Sequence, residues 1–281
     1  MAKLEGANPT GSMKDRMAWA MIEAAERDGR LRPGGKVVEF TGGSTGTSLA
    51  MVCAARGYPL SIVTSNAASL EKRHHMQALG ADLTVLHSEG GRLTQELFKE
   101  MAAATGRIVR ETGAFWTDQF HNSSQVDGYH TLGEEIWEQT GGHVDAFVHV
   151  VGTCGSLRGV AETLRRRSPK LHVVAVEPAK SPVLSGGPPG SHRIEGVGTG
   201  QIPPLWDPGL ADAVEQVSTS EAETMARRLA REDGVFAGTS SGANVVAALR
   251  VARHLGPDAT VAIVLVDNGL KYLSTDLFTS R

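Results

Sequence analysis

The sequence predicts an α/β fold made of two three-layer α/β domains with mainly parallel sheets. Short β-branched runs alternate with helical segments of about ten residues between positions 36 and 109. The alternation starts again at the apolar run 146–151, after a polar segment over 117–129. Glycine-rich turns connect several strands to the helices that follow them. Helices of this length between strands favour crossover connections, which join parallel strands.

The first half of the chain predicts four strands and four helices. Ser12 is a natural N-cap for a first helix that continues through 17–22. Gly57 and Gly80 are typical C-caps, and each ends a predicted helix. Strands are predicted over 36–40, 60–63, 82–86 and 107–109, and further helices over 47–56, 70–79 and 93–104.

The second half repeats the alternation around a long irregular loop. We interpret the polar segment 117–129 as the crossover between the domains, since it has little periodicity. Residues 8–120 are predicted to form a smaller N-terminal domain, and residues 1–7 with 121–281 a larger C-terminal one. In the larger domain we expect strands over 146–151, 171–176 and 260–266, helices from 156 to about 167 and over 220–232 and 241–254, and an irregular loop over 180–206.

Composition excludes several classes of protein. The 281 residues carry a formal net charge of −3 and are 41% hydrophobic, which does not indicate a nucleic-acid or membrane surface. No apolar run approaches the roughly 20 residues of a membrane span, and a signal-peptide pattern is missing. The two cysteines form no disulfide framework, so a cytoplasmic protein is expected. The histidines and cysteines show no metal-ligand spacing, so no metal is expected.

The stretch Asn8-Pro9-Thr10-Gly11-Ser12-Met13-Lys14-Asp15-Arg16 is the strongest candidate for chemistry. It begins as a turn and ends as a helix start, with Asp15 in the first helical turn, where acids are favoured. Lys14 thus lies at the first turn of a mostly apolar helix. A helix N-terminus and burial both disfavour the ammonium form, and a neutral amine is the form that attacks a carbonyl.

This stretch, with Lys3-Leu4-Glu5 before it, resembles the cofactor-lysine signature of fold-type II pyridoxal phosphate (PLP) enzymes. Cysteine synthase, cystathionine β-synthase, threonine synthase and serine/threonine dehydratase belong to that group. The resemblance implies that Lys14 is catalytic and binds PLP as a Schiff base. It also implies a fold like that of the tryptophan synthase β-subunit, with PLP in the cleft between the domains. Family members usually carry further elements before this lysine, so a lost upstream segment or a longer parent chain is expected.

A second motif predicts an anion site. Gly152-Thr153-Cys154-Gly155-Ser156 follows a strand and precedes a helix, so its amides and the helix dipole favour an anion, with the Thr153 and Ser156 hydroxyls as extra donors. It is neither the dinucleotide G-x-G-x-x-G nor a P-loop. It is similar to the Gly-Thr-Gly-Gly-Thr phosphate cup of cysteine synthases, and Cys154 and Ser156 are small departures from it. The resemblance implies that residues Gly152, Thr153, Cys154, Gly155 and Ser156 bind the PLP phosphate.

A third motif, Thr41-Gly42-Gly43-Ser44-Thr45, follows another strand. The matching family turn is Thr-Ser-Gly-Asn-Thr, which binds the substrate carboxylate, while its Asn contacts the phenolic oxygen of the cofactor. Ser44 occupies the Asn position and is shorter, so it is expected to reach that oxygen through water. The resemblance implies that Thr41, Gly42, Gly43 and Thr45 bind the carboxylate.

Other family motifs follow in the same order along the chain. Gln119-Phe120-His121-Asn122 resembles a Gln-Phe-x-Asn motif whose Gln contacts the substrate carboxylate, and Glu195-Gly196 begins a segment at the active-site mouth. Gly238-Thr239-Ser240-Ser241-Gly242-Ala243 resembles the motif whose first serine contacts the pyridine nitrogen. The ending Tyr272-Leu273-Ser274-Thr275 is typical of the synthase branch, although Asp267-Asn268 departs from it. Gln119, Gly196 and Ser240 are therefore candidate site residues.

The resemblance implies β-elimination and β-replacement on an activated L-serine such as O-acetylserine. A sulfur nucleophile would then give L-cysteine or an S-substituted cysteine, with Lys14 as the base that removes the α-proton. A homodimer is expected. Cystathionine β-synthase-like condensation, another nucleophile such as thiosulfate, serine/threonine dehydration and a non-catalytic binding relative are the alternatives. A nucleotide-binding protein is disfavoured because no acidic ribose partner follows a G-x-G-x-x-G.

Overall fold

The computed structural model describes residues 1–88 and 94–279 of the chain. Its strands form a four-stranded sheet in the order β4-β3-β2-β5 and a five-stranded sheet in the order β1-β9-β6-β7-β8. All paired strands in both sheets are parallel. The predicted α/β class with mainly parallel sheets is therefore confirmed.

The four-stranded sheet comes from the first part of the chain. Its centre, β2 and β3, is buried along its whole length, because parallel strands carry helices on their faces. The edge strand β5 has only two residues and follows a tight turn at Gly113. The strands are β2 (Val37–Phe40), β3 (Leu60–Ser65), β4 (Asp82–Leu86) and β5 (Phe115–Trp116), and the helices of this part are α1 (Lys14–Arg27), α2 (Ser44–Arg56), α3 (Leu70–Ala78) and α4 (Gln95–Thr112).

The five-stranded sheet combines the first residues of the chain with its second half. Strand β1 pairs with β9, so that Lys3 stands opposite Val264. The central strands β6 and β9 are fully buried. The strands are β1 (Ala2–Leu4), β6 (Ala146–Val150), β7 (His172–Pro178), β8 (Ala213–Val217) and β9 (Val261–Leu265), and the helices are α5 (Ser124–Gln139), α6 (Gly155–Arg167), α7 (Thr219–Glu232) and α8 (Thr239–Leu255).

Helix α5 packs between α1 and α6 at unusually short distances. A Cβ at Gly128 would lie 2.5 Å from the carbonyl oxygen of Arg16, and one at Gly159 would lie 2.5 Å from that of Val126. Only glycine permits this approach of two backbones. Because α1 also packs against α2, it lies between the helices of the two sheets.

The secondary structure predicted around α4 was wrong. The strand predicted over 107–109 is part of α4, whose buried residues Leu97, Met101, Ala104 and Thr105 follow a helical period. The strand of this region is β5, two residues after the helix ends at Gly113. The predicted start of α4 at Leu93 lies outside the described residues.

The segment 117–129 was also misjudged as irregular throughout. Helix α5 begins inside it at Ser124, and its buried positions Val126, Tyr129, Leu132 and Ile136 recur every three or four residues. Strands β1 and β8 were missed, since edge strands of three and five residues give little pattern. The loop over 180–206 is confirmed, because the chain contains no helix or strand between Pro178 and Ala213.

The start of α1 differs in its cap from the prediction. Met13 is the N-cap and its helical backbone angles continue into the helix, whereas Ser12 stands one residue further out. Ser12 is nevertheless used locally, because its Oγ accepts a hydrogen bond from the backbone N–H of Lys14 at 3.2 Å. Within residues 1–88 and 94–279, no helix is both long enough and apolar enough to cross a bilayer.

Candidate active site

The starts of α1 and α8 meet at the carboxyl end of β9. The backbone N–H of Met13 donates to the carbonyl of Val266 at 2.9 Å, and Ser12 forms an isolated bridge to Asp267. The N–H of Val266 in turn donates to Ser241 Oγ at 2.8 Å. Strand β6, which leads into α6, is the next strand in the sheet. Ligands of open α/β sheets bind at this edge, beyond the carboxyl ends of the strands.

Lys14 is the first residue of α1 and lies at this junction. Within the described part of the chain, its amine has no hydrogen-bond or ion-pair partner. Burial lowers the pKa of Lys14 to about 8, and the carboxylate of Asp267 opposes the shift. Burial, and then the charge of Lys14, lower the pKa of His149 on β6 to about 3. Lys14 is thus an available amine at the junction of α1, α8 and β9 that is substantially neutral near pH 8.

Asp15 fixes the turn that precedes Lys14. Its carboxylate accepts hydrogen bonds from the backbone N–H of Thr10 at 2.8 Å, from the hydroxyl of Thr10 and from the hydroxyl of Ser48 on α2 at 2.6 Å. All three residues are buried. The acid that the sequence placed in the first helical turn therefore also ties the lysine segment to α2.

The first turn of α6 is a buried, uncapped helix N-terminus. Cys154 is its N-cap with a φ of 73°, and no side chain caps the helix. Residues 153–157 are all buried, although the first N–H groups of a helix have no partner within it. A buried helix end of this kind is complementary to an anion, because the N–H groups and the dipole point the same way. The structure thus agrees with an anion site at the predicted position.

The two hydroxyls of this turn have different roles. The hydroxyl of Thr153 donates to Gln125 Oε1 at 2.5 Å, since the Nε2 of Gln125 already donates to the carbonyls of Gln119 and Asn122. The single proton of Thr153 is thus used within the protein. Among the described residues, the one hydrogen-bond partner of Ser156 Oγ is His149 Nε2, at 2.9 Å. Ser156 is therefore the hydroxyl of the turn that can donate to an anion.

Ser240 is the hydroxyl left available at the start of α8. Its neighbours are engaged, because Thr239 Oγ1 accepts from the N–H of Glu195 at 3.0 Å and Ser241 Oγ accepts from Val266. Ser240 is 2% exposed, and its hydroxyl has no partner in the parts of the chain that the structure describes. This agrees with a role toward a ligand rather than in capping.

The turn after β2 and the Gln119 loop face each other. Helix α2 begins at Ser44, three residues earlier than predicted, and no side chain caps it. Thr45 Oγ1 donates to Gln119 Oε1 at 2.8 Å, and Gln119 Nε2 donates to the carbonyl of Phe40 at 3.1 Å. One Nε2 hydrogen of Gln119 remains, together with the uncapped N–H groups of α2. The structure therefore unites these predicted carboxylate-binding elements, although the Thr45 proton is already used.

Glu39 supports this loop and was missed by sequence reasoning. Its carboxylate is fully buried and accepts four hydrogen bonds, which join β2 to the loop after β5. Burial raises the pKa of Glu39 to about 7, while its hydrogen bonds favour the carboxylate. The donors are the N–H of Phe40 at 2.8 Å, Trp116 Nε1 at 3.1 Å, the hydroxyl of Thr117 at 2.6 Å and the N–H of Gln119 at 2.9 Å.

The segment beginning at Glu195 covers the first turn of α6. A Cβ at Gly152 would lie 2.6 Å from the carbonyl oxygen of Gly196, so the two backbones touch. Gly196 has a φ of 78°, which glycine adopts without strain. Glu195 forms an ion pair with Lys72 of α3, whose side chain is 2% exposed. The predicted mouth segment is therefore attached to both α3 and the glycine-rich turn that precedes α6.

Three further residues were not identified from the sequence: Glu39, Gln125 and His149. His149 could have been identified from the sequence, because an ionisable residue inside the apolar run 146–151 requires a buried hydrogen-bond partner. Gln125 gave no such signal, since it lies in the segment interpreted as irregular. Among residues 1–88 and 94–279, no three His, Cys, Asp or Glu side chains are grouped to hold a metal ion.

Comparisons with known proteins agree with this geometry. Residues 1–267 match the family described as pyridoxal-phosphate dependent enzyme. The chain is 42% identical over 279 residues to a cysteine synthase of Staphylococcus aureus, covering 99% of this chain and 88% of that one. The crystal structure of cysteine synthase from Entamoeba histolytica is similar with a TM-score of 0.92 and 35% identity, covering 100% of this chain and 82% of the other. O-acetylserine dependent cystathionine beta-synthase from Helicobacter pylori has a TM-score of 0.90 and 32% identity, with 99% and 89% covered.

Proposed function

Because the chain belongs to the family of pyridoxal-phosphate dependent enzymes, we propose that it catalyses β-replacement on an activated L-serine with a sulfur nucleophile, giving L-cysteine. The family resemblance predicted from the motifs is confirmed. The similarity to cysteine synthases over 99% of the chain supports the reaction class. The observation that carries the proposal is Lys14, an amine with a pKa of about 8 at the junction of α1, α8 and β9, for which the described residues offer no partner.

The residues present fit PLP. A buried helix N-terminus without a cap matches a phosphate dianion, and the unused hydroxyl of Ser240 matches a pyridine nitrogen. When bound, PLP withdraws electrons from the α-carbon of the amino acid. We assign the phosphate to the turn Gly152, Thr153, Cys154, Gly155 and Ser156, the ring nitrogen to Ser240, the phenolic oxygen to Ser44 and the covalent attachment to Lys14.

Lys14 serves both to hold the cofactor and to move the proton. Its lowered pKa keeps a large fraction of the amine neutral near pH 8, and a neutral amine accepts the α-proton of the substrate. The hydroxyl of Ser240 accepts or donates a hydrogen bond without a formal charge, so it does not hold the ring nitrogen protonated. This suits elimination, in which the leaving group takes the electrons.

The substrate carboxylate is assigned to the opposite side of the cleft. The N–H groups at the start of α2 and the remaining Nε2 hydrogen of Gln119 are the donors, and Glu39 fixes the loop that carries Gln119. Anchoring the carboxylate orients the bond that is to break. The residues proposed for this anchor are Thr41, Gly42, Gly43, Thr45 and Gln119, with Gly196 closing the mouth.

The remaining features of the proposal concern organisation. We assign residues 8–120 to the smaller domain and residues 1–7 with 121–281 to the larger, and the pairing of β1 with β9 supports this division. Helix α1 lies at the junction. We propose a homodimer on the basis of the resemblance and a cytoplasmic location on the basis of the cysteine usage, and sedimentation measures the oligomeric state. The partners are a small amino-acid donor and a sulfur nucleophile, without nucleic acid or a membrane.

The visible absorbance of the purified protein tests the proposal. We expect a cofactor band that changes when O-acetylserine is added without a sulfur source, and cysteine once sulfide follows. Lys14→Ala should lose covalent attachment, as measured by mass spectrometry after borohydride reduction, whereas Lys170→Ala at an exposed site should keep it.

Each contrary result has a definite meaning. An absorbance band that does not change when O-acetylserine is added would indicate that the substrate is O-phosphoserine, serine or threonine instead. Turnover with homocysteine in place of sulfide would favour the condensation performed by cystathionine β-synthases. A protein that PLP cannot reconstitute would support a non-catalytic relative.

A further inference from the structure

His149 lies in the middle of β6, and both of its ring nitrogens are used. Its side chain is fully buried and stacks on Phe147, with ring centroids 5.7 Å apart. Nδ1 lies 3.1 Å from Asn244 Nδ2, and Nε2 lies 2.9 Å from Ser156 Oγ. The histidine therefore connects the interior of α8 to the first turn of α6.

The backbone determines the orientation of the Asn244 amide. Its Oδ1 accepts from the N–H of Val150 at 2.7 Å, so this atom is the oxygen. Its Nδ2 donates one hydrogen to the carbonyl of Val264 at 2.7 Å and presents the other to His149. Nδ1 of His149 is thus an acceptor.

The tautomer of His149 follows from this acceptor role. A neutral imidazole carries one hydrogen, and with Nδ1 accepting, that hydrogen is on Nε2. Burial keeps the ring neutral, because it lowers the pKa of His149 to about 3. Nε2 therefore donates to Ser156 Oγ. A serine hydroxyl that has accepted at one lone pair still has its own proton to give.

We propose that His149 is a positioning residue for the phosphate of the cofactor. Held by Asn244, it donates to Ser156 Oγ and so directs the Ser156 proton toward the anion at the start of α6. Without this donor, a serine in the first turn of a helix is free to rotate or to bond to nearby backbone carbonyls. The inference rests on the proposed placement of the phosphate at residues 152–156.

A double-mutant cycle on PLP affinity tests the proposal. Equilibrium dialysis of the holoenzyme against graded PLP measures the dissociation constant for the unaltered chain, His149→Phe, Ser156→Ala and the double variant. Phenylalanine keeps a ring against Phe147 but has no N–H. We expect His149→Phe to weaken PLP binding about fivefold in the unaltered background and by less than about twofold in the Ser156→Ala background. The reason is that both substitutions remove the same hydrogen bond from the Ser156 hydroxyl to the phosphate.

Two controls separate positioning from general damage. His149→Phe leaves an Asn244 hydrogen unpaired, so stability is expected to fall whether or not Ser156 is present, and stability is not the readout. The same dialysis with pyridoxal, which lacks the phosphate, should show an unchanged constant for His149→Phe. His149→Gln keeps an N–H near the position of Nε2 and is expected to restore PLP binding to within about twofold.

The tautomer can also be measured on the unaltered holoenzyme. Long-range ¹H–¹⁵N spectra, with the signal assigned by its loss in His149→Gln, should show hydrogen on Nε2. Hydrogen on Nδ1, an equal loss of affinity in both Ser156 backgrounds, or an equal loss for pyridoxal would each overturn the inference. If Ser156→Ala alone leaves PLP affinity unchanged, the phosphate placement fails and the inference fails with it.

Discussion

Replacing Lys14 by methionine should stabilise the cofactor-free protein, although it removes the residue proposed to do the chemistry. Methionine fills a similar volume without a charge, and within residues 1–88 and 94–279 the amine of Lys14 has no partner to lose. A pKa lowered from 10.5 to about 8 on folding corresponds to about 3 kcal/mol of destabilisation while the amine is protonated in both states. Because Lys14 retains some exposure, we expect a gain of about 2 to 3 kcal/mol at pH 7.

The sign of the pH dependence follows from the direction of the shift. Below pH 8 the lysine is protonated in the folded and unfolded chains, so the full cost of its buried charge is present. Between about pH 8 and 10.5 the folded protein releases the proton first, and its stability rises relative to the unfolded chain. The advantage of Lys14→Met should therefore shrink across this range and be nearly gone at its upper end.

Urea unfolding of the cofactor-free full chain at pH 7, 8, 9 and 10 measures the difference in unfolding free energy between Lys14→Met and the unaltered protein. The slope of the unfolding free energy against urea concentration should be the same for both proteins, because the same surface is exposed on unfolding. Lys170→Met, at an exposed turn, is the control and should change stability by less than about 0.5 kcal/mol at every pH. A Lys14→Met variant that is no more stable, or whose gain does not vary with pH, would refute the description of Lys14 as a largely buried amine without a partner among the described residues.

Two further predictions follow from buried groups. Glu39→Gln should lower the free energy of unfolding by about 2 kcal/mol and raise KM for the amino-acid donor. The NH₂ group of the glutamine would face the hydrogen-bond donors that now meet a carboxylate. Denaturant unfolding measures the first effect and steady-state kinetics the second. Glu138→Gln at an exposed position is the control, and an unchanged KM for Glu39→Gln would contradict the role assigned to the loop. Burial raises the pKa of the Cys53 and Cys154 thiols to about 12, so both should react with a thiol reagent about 1,000-fold more slowly than a free cysteine at pH 8, until the chain is unfolded. Rapid labelling of the folded protein would contradict this prediction, because it would show that the two thiols become accessible without unfolding of the chain.

Local features could be predicted from the sequence because they depend on neighbouring residues. The strand–turn–helix units around β2, β3 and β6 have strong period and turn signals, and the helix end predicted at Gly57 uses a left-handed glycine. The candidate site residues were likewise readable from ordered motifs. The strand predicted over 107–109 failed because three β-branched or long residues fit a helix as well as a strand.

Which polar groups of these residues are free to bind a ligand depends on contacts with residues that are distant in the sequence. The sequence offered the hydroxyls of Thr153 and Ser156 as equal donors, but Gln125 uses the proton of Thr153 while His149 leaves that of Ser156 available. Likewise, Lys14 is a candidate because of its motif, whereas its lowered pKa comes from burial in the folded chain.

The sequence by itself determined the fold class, the order of the motifs and the choice of Lys14 as the candidate lysine. Only the tertiary structure decided which polar atoms have partners and which are left for a ligand. The physical reason is that a motif is local, while hydrogen-bond satisfaction and desolvation depend on residues such as Asn244 and His149, 95 positions apart in the chain.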